Sequence, residues 1–191
     1  MSKGHLSFLA PVLLLTAVLP GVSATARAQE TSAVNKELDL KAAVVLDKDF
    51  CLTKMKKNHE TFEVGKAACE IFKPELEREF STLTTVGSVA EAAGAQAVFV
   101  PRFVDLSATK TLGAFSTREL TVLLEWTVKD SSGRTVWIQT VEGTGKNHMG
   151  NGFTYQNDLR QIIRYALGDL IHKSVAEMNA SRELHKLEQK P

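Results

Sequence analysis

Residues Arg118–Glu142, RELTVLLEWTVKDSSGRTVWIQTVE, decide the fold of this 191-residue chain. Leu120, Val122, Leu124, Trp126 and Val128 alternate with Thr121, Leu123, Glu125, Thr127 and Lys129. Period two over this length marks a strand with one buried face. Asp130-Ser131-Ser132-Gly133 is turn chemistry, and Thr135–Glu142 resumes as a strand, so the stretch predicts an antiparallel hairpin.

The sheet that this hairpin begins needs a cover for its apolar face. Downstream, from about Thr154 to Met178, Leu159, Ile162, Ile163, Ala166, Leu167, Leu170, Ile171, Val175 and Met178 form one helical stripe, with Arg160, Gln161, Arg164, Asp169, Lys173 and Glu177 opposite. Upstream, Val64, Ala68, Ile71, Phe72, Leu76 and Phe80 recur at three- and four-residue steps, which predicts a helix within Phe62–Leu83. Pro74 interrupts that run and kinks or restarts it. Ala42–Leu46 and Leu83–Val86 read as short strands, and Ser88 with Glu91 as a capping box opening a short helix that stops at Gly94. Gln96–Val104 reads as a strand covered on both faces. Pro101 requires a bulge or a one-sided edge within it. The glycine-rich Gly143–Gly152 reads as a loop. The fold class that follows is α+β: a mixed, mostly antiparallel sheet of four or five strands with two main helices packed on one face, an α/β sandwich.

At the amino terminus, Lys3 precedes the apolar run Phe8–Leu19, and small residues lead to Ala26-Arg27-Ala28. That order predicts a secretory signal peptide over residues 1–28. Residues 6–22 are too short an apolar stretch for a spanning helix, which needs about 20 apolar residues, and they hold Pro11 and Pro20. No cysteine follows it closely enough for lipid attachment, and no stable membrane span is expected after cleavage. Residues 29–41 are polar and read as a flexible lead-in, 42–178 as a single domain, and 179–191 as a charged tail. Removing the leader's Lys3 and Arg27 takes the formal charge from +1 to −1. A near-neutral chain offers no field for nucleic acid. Export to an oxidising compartment makes a Cys51–Cys69 disulfide the expected pairing.

Motifs for catalysis or cofactors are weak. Gly143-Thr144-Gly145-Lys146 departs from the phosphate-binding loop because Asn147 follows Lys146, and its glycine spacing does not make a dinucleotide loop. No two of His59, His148, His172 and His185 have metal-ligand spacing. No GxSxG elbow occurs. Cys51 near His59 lacks an orienting third residue, and the carboxylates Glu70, Glu75, Glu77 and Glu79 read as a solvated helix face. Trp126 and Trp137, on facing hairpin strands, read as core packing; the alternatives are a pair across the strands or the lining of a groove. No cofactor, metal or catalytic residue is nominated.

Several stretches resemble small bacterial envelope proteins of the YajG/CsgG-like kind, relatives of the auxiliary lipoproteins of ABC transport systems. They are the helix ending at Phe80, AEAAGAQAVFVPRFV at Ala90–Val104, LTVLLEWTVKDSSGRTVWIQTVEG at Leu120–Gly143, and ALGDLIHKSV at Ala166–Val175. The resemblance implies an α/β sandwich domain that is not an enzyme but an accessory or assembly factor of the cell envelope. The chain departs from lipid-anchored relatives in having no leader cysteine, which implies a soluble periplasmic or secreted form. The partner expected is an envelope protein or an amphiphile, held at the sheet, at a free sheet edge, or at loops 104–118 and 143–153. The other class kept open is a small secreted hydrolase whose site would be a concave pocket of converging polar groups with perturbed ionisable residues.

Overall fold

The alternation in Thr117–Asp130 (β6) becomes a strand in which every second residue, from Arg118 to Asp130, is buried. The computed structural model describes residues 38–111, 117–148 and 155–188. The signal peptide, most of the lead-in and the last three residues therefore lie outside the described residues. In chain order, the other elements are β1 (Leu38–Val45), α1 (Lys48–Cys51), β2 (Met55–Lys57), β3 (Glu60–Phe62), α2 (Val64–Glu79), β4 (Phe80–Val86), a 3-10 turn (Val89–Glu91), β5 (Ala97–Thr111), β7 (Thr135–His148), α3 (Tyr155–Ala180) and α4 (Arg182–Glu188). Five strands form one mixed sheet in the order β4-β1-β5-β6-β7. The β1 pairs with β4 and β5 are parallel, and the longer β5–β6 and β6–β7 ladders are antiparallel. A separate hairpin, β2–β3, turns through Asn58 and His59, both with positive φ. A two-residue loop of that conformation matches strand twist.

The α+β architecture agrees with the sequence reading, while several boundaries move. The strand β1 starts at Leu38, inside the segment read as lead-in, because Leu38, Leu40, Ala42 and Val44 alternate inward. The segment read as a charged tail holds α4. Its Leu184 and Leu187 are buried, and the Ser181 hydroxyl accepts the Leu184 amide at 3.3 Å. The first long helix is Val64–Glu79; Phe62 and Phe80 belong to the flanking strands, and Pro74 sits inside the helix. The Ser88 hydroxyl bonds the Glu91 carboxylate, which accepts the Gly87 amide, so the acid closes the turn but Ser88 makes no side-chain cap.

Pro101 is buried on β5, a strand with two neighbours. Its tolerance has a simple origin. The β1 ladder meets β5 only at Ala97, Val98 and Phe99, and the register shifts between Phe103 and Asp105. Beyond Phe99 the strand is paired with β6 on one side, and on the other side a residue without an N–H takes no bond from the ladder.

Both long helices pack on one face of the sheet. The inward residues of β6 meet Ile162, Ala166, Leu167 and Leu170 of α3 and Phe72 and Leu76 of α2 in one core. Trp126, the largest fully buried side chain, lies against Phe72 at 5.8 Å and edge-on to Phe99 at 6.4 Å. Its indole N–H donates to the Ser174 hydroxyl at 2.8 Å, which in turn donates to the Leu170 carbonyl. Ser174→Ala is expected to destabilise the protein by about 1–3 kcal/mol, because it leaves a buried N–H unsatisfied. Urea unfolding followed by tryptophan fluorescence measures this.

The Asp130 turn is built as the sequence suggested. The carboxylate accepts from the Ser132 hydroxyl (2.6 Å), the Ser132 and Arg134 amides, and the Arg134 guanidinium (2.8 Å). Gly133 supplies the positive φ. The Ser132 hydroxyl and Arg134 hold the Asp130 carboxyl well below the usual carboxylate range. A depressed folded value adds stability that is complete above the unfolded value, about 3.9, and is lost as pH falls through the folded one. Asp130→Asn is accordingly expected to flatten the decline in Tm as pH is lowered from about 5 to 2.

Candidate functional site

The segment that links β1 to α2 carries the charge density that shapes the site. Cys51 at the end of α1 is disulfide-bonded to Cys69 in α2, the pairing expected from the sequence. Gly65 brings α2 directly against α1, and its amide donates to the Thr53 carbonyl at 3.0 Å. A Cβ there would lie 2.1 Å from the Phe50 carbonyl oxygen, so only glycine permits this approach. The hairpin β2–β3 then folds beside β5, held by Asn58 Nδ2 donating to the Ala108 carbonyl at 3.1 Å. Arg118 of β6, buried over the Phe62 ring at 5.7 Å, pairs with Glu60 of β3.

Helices α2 and α3 lie side by side and run the same way: Glu70 meets Arg164, and further along both helices Glu79 meets Asn179. Where the starts of both helices meet the hairpin, they enclose a groove of about 660 Å³. Lys66, Ala67 and Glu70 come from α2, and Leu159, Arg160, Ile163 and Arg164 from α3. Lys54, Thr61 and Glu63 close its upper wall. Lys54 pairs with Glu63 at 2.7 Å and Arg164 with Glu70 at 3.2 Å. Both pairs are more than two-fifths exposed, so they orient side chains more than they stabilise the fold. The hydrogen bond and charge of Lys54 hold the Glu63 carboxyl below its ordinary value, with smaller contributions from Lys66 and Arg160.

The site residues considered from sequence fall elsewhere. Cys51 has no free thiol, and His59 stands exposed on the hairpin turn, so the pairing of a reactive cysteine with that histidine is not formed. Residues 104–111 and 117–118 are strand rather than loop, as are Gly143–His148; residues 112–116 and 149–153 lie outside the described residues. The glycines of β7 serve packing. A Cβ on Gly143 would lie 2.2 Å from the Ala166 carbonyl oxygen, and one on Gly145 would lie 2.4 Å from that of Ile162. Trp137, opposite Val128, is half-buried against the core.

The sheet edges differ. The outer edge of β7 is bonded to α3: Asp169 accepts the Thr144 amide at 2.8 Å, and Lys173 donates to the Glu142 carbonyl at 3.2 Å. Burial raises the Asp169 pKa, but the Lys173 and Thr144 hydrogen bonds outweigh it and hold the carboxyl low. The first strand, β1, lies between β4 and β5 and is not an edge; β4 is the other edge. Among the described residues, no group of three or more His, Cys, Asp or Glu is placed to hold a metal ion, and no helix is long and apolar enough to cross a membrane.

No family model matches the chain, and no curated protein matches it. It is similar in structure to a Caulobacter crescentus protein classed as a lipoprotein, with 11% identity, a TM-score of 0.47, and coverage of 78% of this chain and 92% of that one. It is similar to a minor lipoprotein of Acinetobacter baumannii at 11% identity and TM-score 0.42, covering 74% of this chain and 92% of that one. A Xanthomonas campestris protein of the DUF330 family matches at 8% identity and TM-score 0.45, covering 75% and 89%. Two of these three are described by the word lipoprotein, and none is described as YajG- or CsgG-like. At such identities no residue role transfers.

Proposed function

We propose that this chain is a non-catalytic binding or assembly accessory protein of the bacterial cell envelope, exported and freed of its leader. The observation that carries the reading is the chemistry of the groove. Its two carboxylates are engaged in ion pairs, and one is held ionised rather than poised near neutrality. Among the described residues that line it there is no histidine, cysteine or serine, and Thr61 carries its single side-chain hydroxyl. A general acid or base works best with a pKa near the operating pH, which burial normally supplies. The groove instead offers fixed charge to a ligand. The disulfide and the leader both suit an oxidising, extracytoplasmic compartment.

Affinity capture with the tagged protein tests this reading: specific partners should be retained from an envelope extract and lost with the doubly reversed Lys66→Glu/Arg160→Glu protein. Mass spectrometry of the mature chain should place its first residue after Ala28 or Ala26. A small secreted hydrolase remains the second reading, because the groove is concave and polar groups do converge on it. Turnover of chromogenic ester, glycoside or peptide substrates that Glu63→Gln or Glu70→Gln abolishes would replace the first reading with the second.

A further inference from the structure

We propose that the groove between the starts of α2 and α3 takes an acidic segment of a partner polypeptide, an assignment that rests on the binding reading above. The charge is local. The chain without its leader is nearly neutral, whereas the groove holds four cations against two carboxylates. Lys54 and Arg164 are matched by Glu63 and Glu70. Among the described residues, Lys66 and Arg160 have no ion-pair partner, and both are exposed. They stand on neighbouring helices and both act on Glu63, which places them around one spot. The one acid at the start of α2, its N-cap Glu63, makes no side-chain cap and is already paired with Lys54, so it leaves Lys66 and Arg160 facing the groove.

The lining also selects among anions. The floor residues Leu159 and Ile163 are 7% and 4% exposed, so an acyl chain would find little apolar surface to cover. A dense polyanion would meet the carboxylates of Glu63 and Glu70. A peptide satisfies both signs: its acidic side chains face Lys66 and Arg160, and its backbone amides find acceptors in the two glutamates. A volume of about 660 Å³ lies within the range of ligand-sized clefts.

The test is a fluorescence-anisotropy titration of the protein, purified from its host, with a fluorescein-labelled eight-residue peptide of alternating glutamate and serine at low salt. Saturable binding is expected, weakening as salt rises. Lys66→Glu/Arg160→Glu should weaken it by roughly tenfold or more, and the reversed protein should instead bind the lysine–serine peptide. Both residues are exposed, so the variant keeps its fold, and circular dichroism verifies this. An intact peptide that does not bind, or binding that is indifferent to the reversal, overturns the acidic-segment assignment alone. Tighter binding of decanoate or inorganic phosphate than of the peptide also overturns it. Cleavage of the peptide overturns the non-catalytic reading instead, and mass spectrometry of the titrated sample separates these results.

Discussion

Replacing Gly143 with alanine is expected to lower stability by about 3 kcal/mol, a fall in Tm of roughly 10 °C for a domain of this size. The cause is backbone proximity. The added methyl would fall 2.2 Å from the Ala166 carbonyl oxygen, 2.3 Å from Leu170 Cβ and 2.6 Å from the Leu170 amide nitrogen. None of these atoms can rotate away, so α3 must lift from β7. That lift loosens the ridge Ile162–Ala166–Leu170 and pulls Asp169 and Lys173 away from the Thr144 amide and the Glu142 carbonyl. Close-packed interiors do not absorb such shifts cheaply. Gly145→Ala should behave alike. Gly168 supplies the control, since a Cβ there meets nothing within 4 Å in the middle of α3. Gly168→Ala should stabilise the protein by up to about 1 kcal/mol. Thermal melts by circular dichroism give all three values, and a Gly143→Ala protein that melts like the parent would refute this account of the interface.

Removal of the disulfide is the second large effect. Changing Cys51 and Cys69 together to serine frees a loop spanning 18 positions and is expected to cost roughly 3 kcal/mol by the chain-entropy estimate. The consequences reach the groove. The bridge pins α1 to α2, Phe50 packs between Phe72 and Phe103 (6.2 and 4.9 Å), and Gly65 admits the close contact. Lys54, Glu63 and Lys66 all follow or flank that clamp. Urea titrations with and without a reductant should show a displaced midpoint for the parent chain and none for the double variant. An unchanged midpoint on reduction of the parent would mean that packing alone holds α1 in place.

Legibility in the sequence tracked how local each signal was. The hairpin of β6 and β7, its Asp130 turn and the stripe of α3 were read from period and turn chemistry, because each is written in residues that are neighbours in the chain. The start of β1 was equally legible in the alternation of Leu38 and Leu40, and α4 in Ser181 followed by Leu184 and Leu187, but charge masked both. Gly143 and Gly145 misled for a physical reason. A glycine chosen for freedom of φ and a glycine chosen for the absence of a side chain look alike until the opposing helix is in place. The hairpin β2–β3 was hidden by its Asn58-His59 turn, which lacks the usual glycine. Of the groove, no single segment carried a sign. Lys66 and Arg160 are 94 positions apart and look like ordinary solvated helix residues.

By itself, the sequence determined the strand and helix periods, the layer type and the pairing expected of the two cysteines, since these depend on spacing along the backbone. Which helix face meets which strand, which edge is bonded over, and which cations are left without a partner were decided only in the tertiary structure. Those outcomes depend on distances between residues remote in the chain, and on the few positions where a missing Cβ allows two backbones to touch.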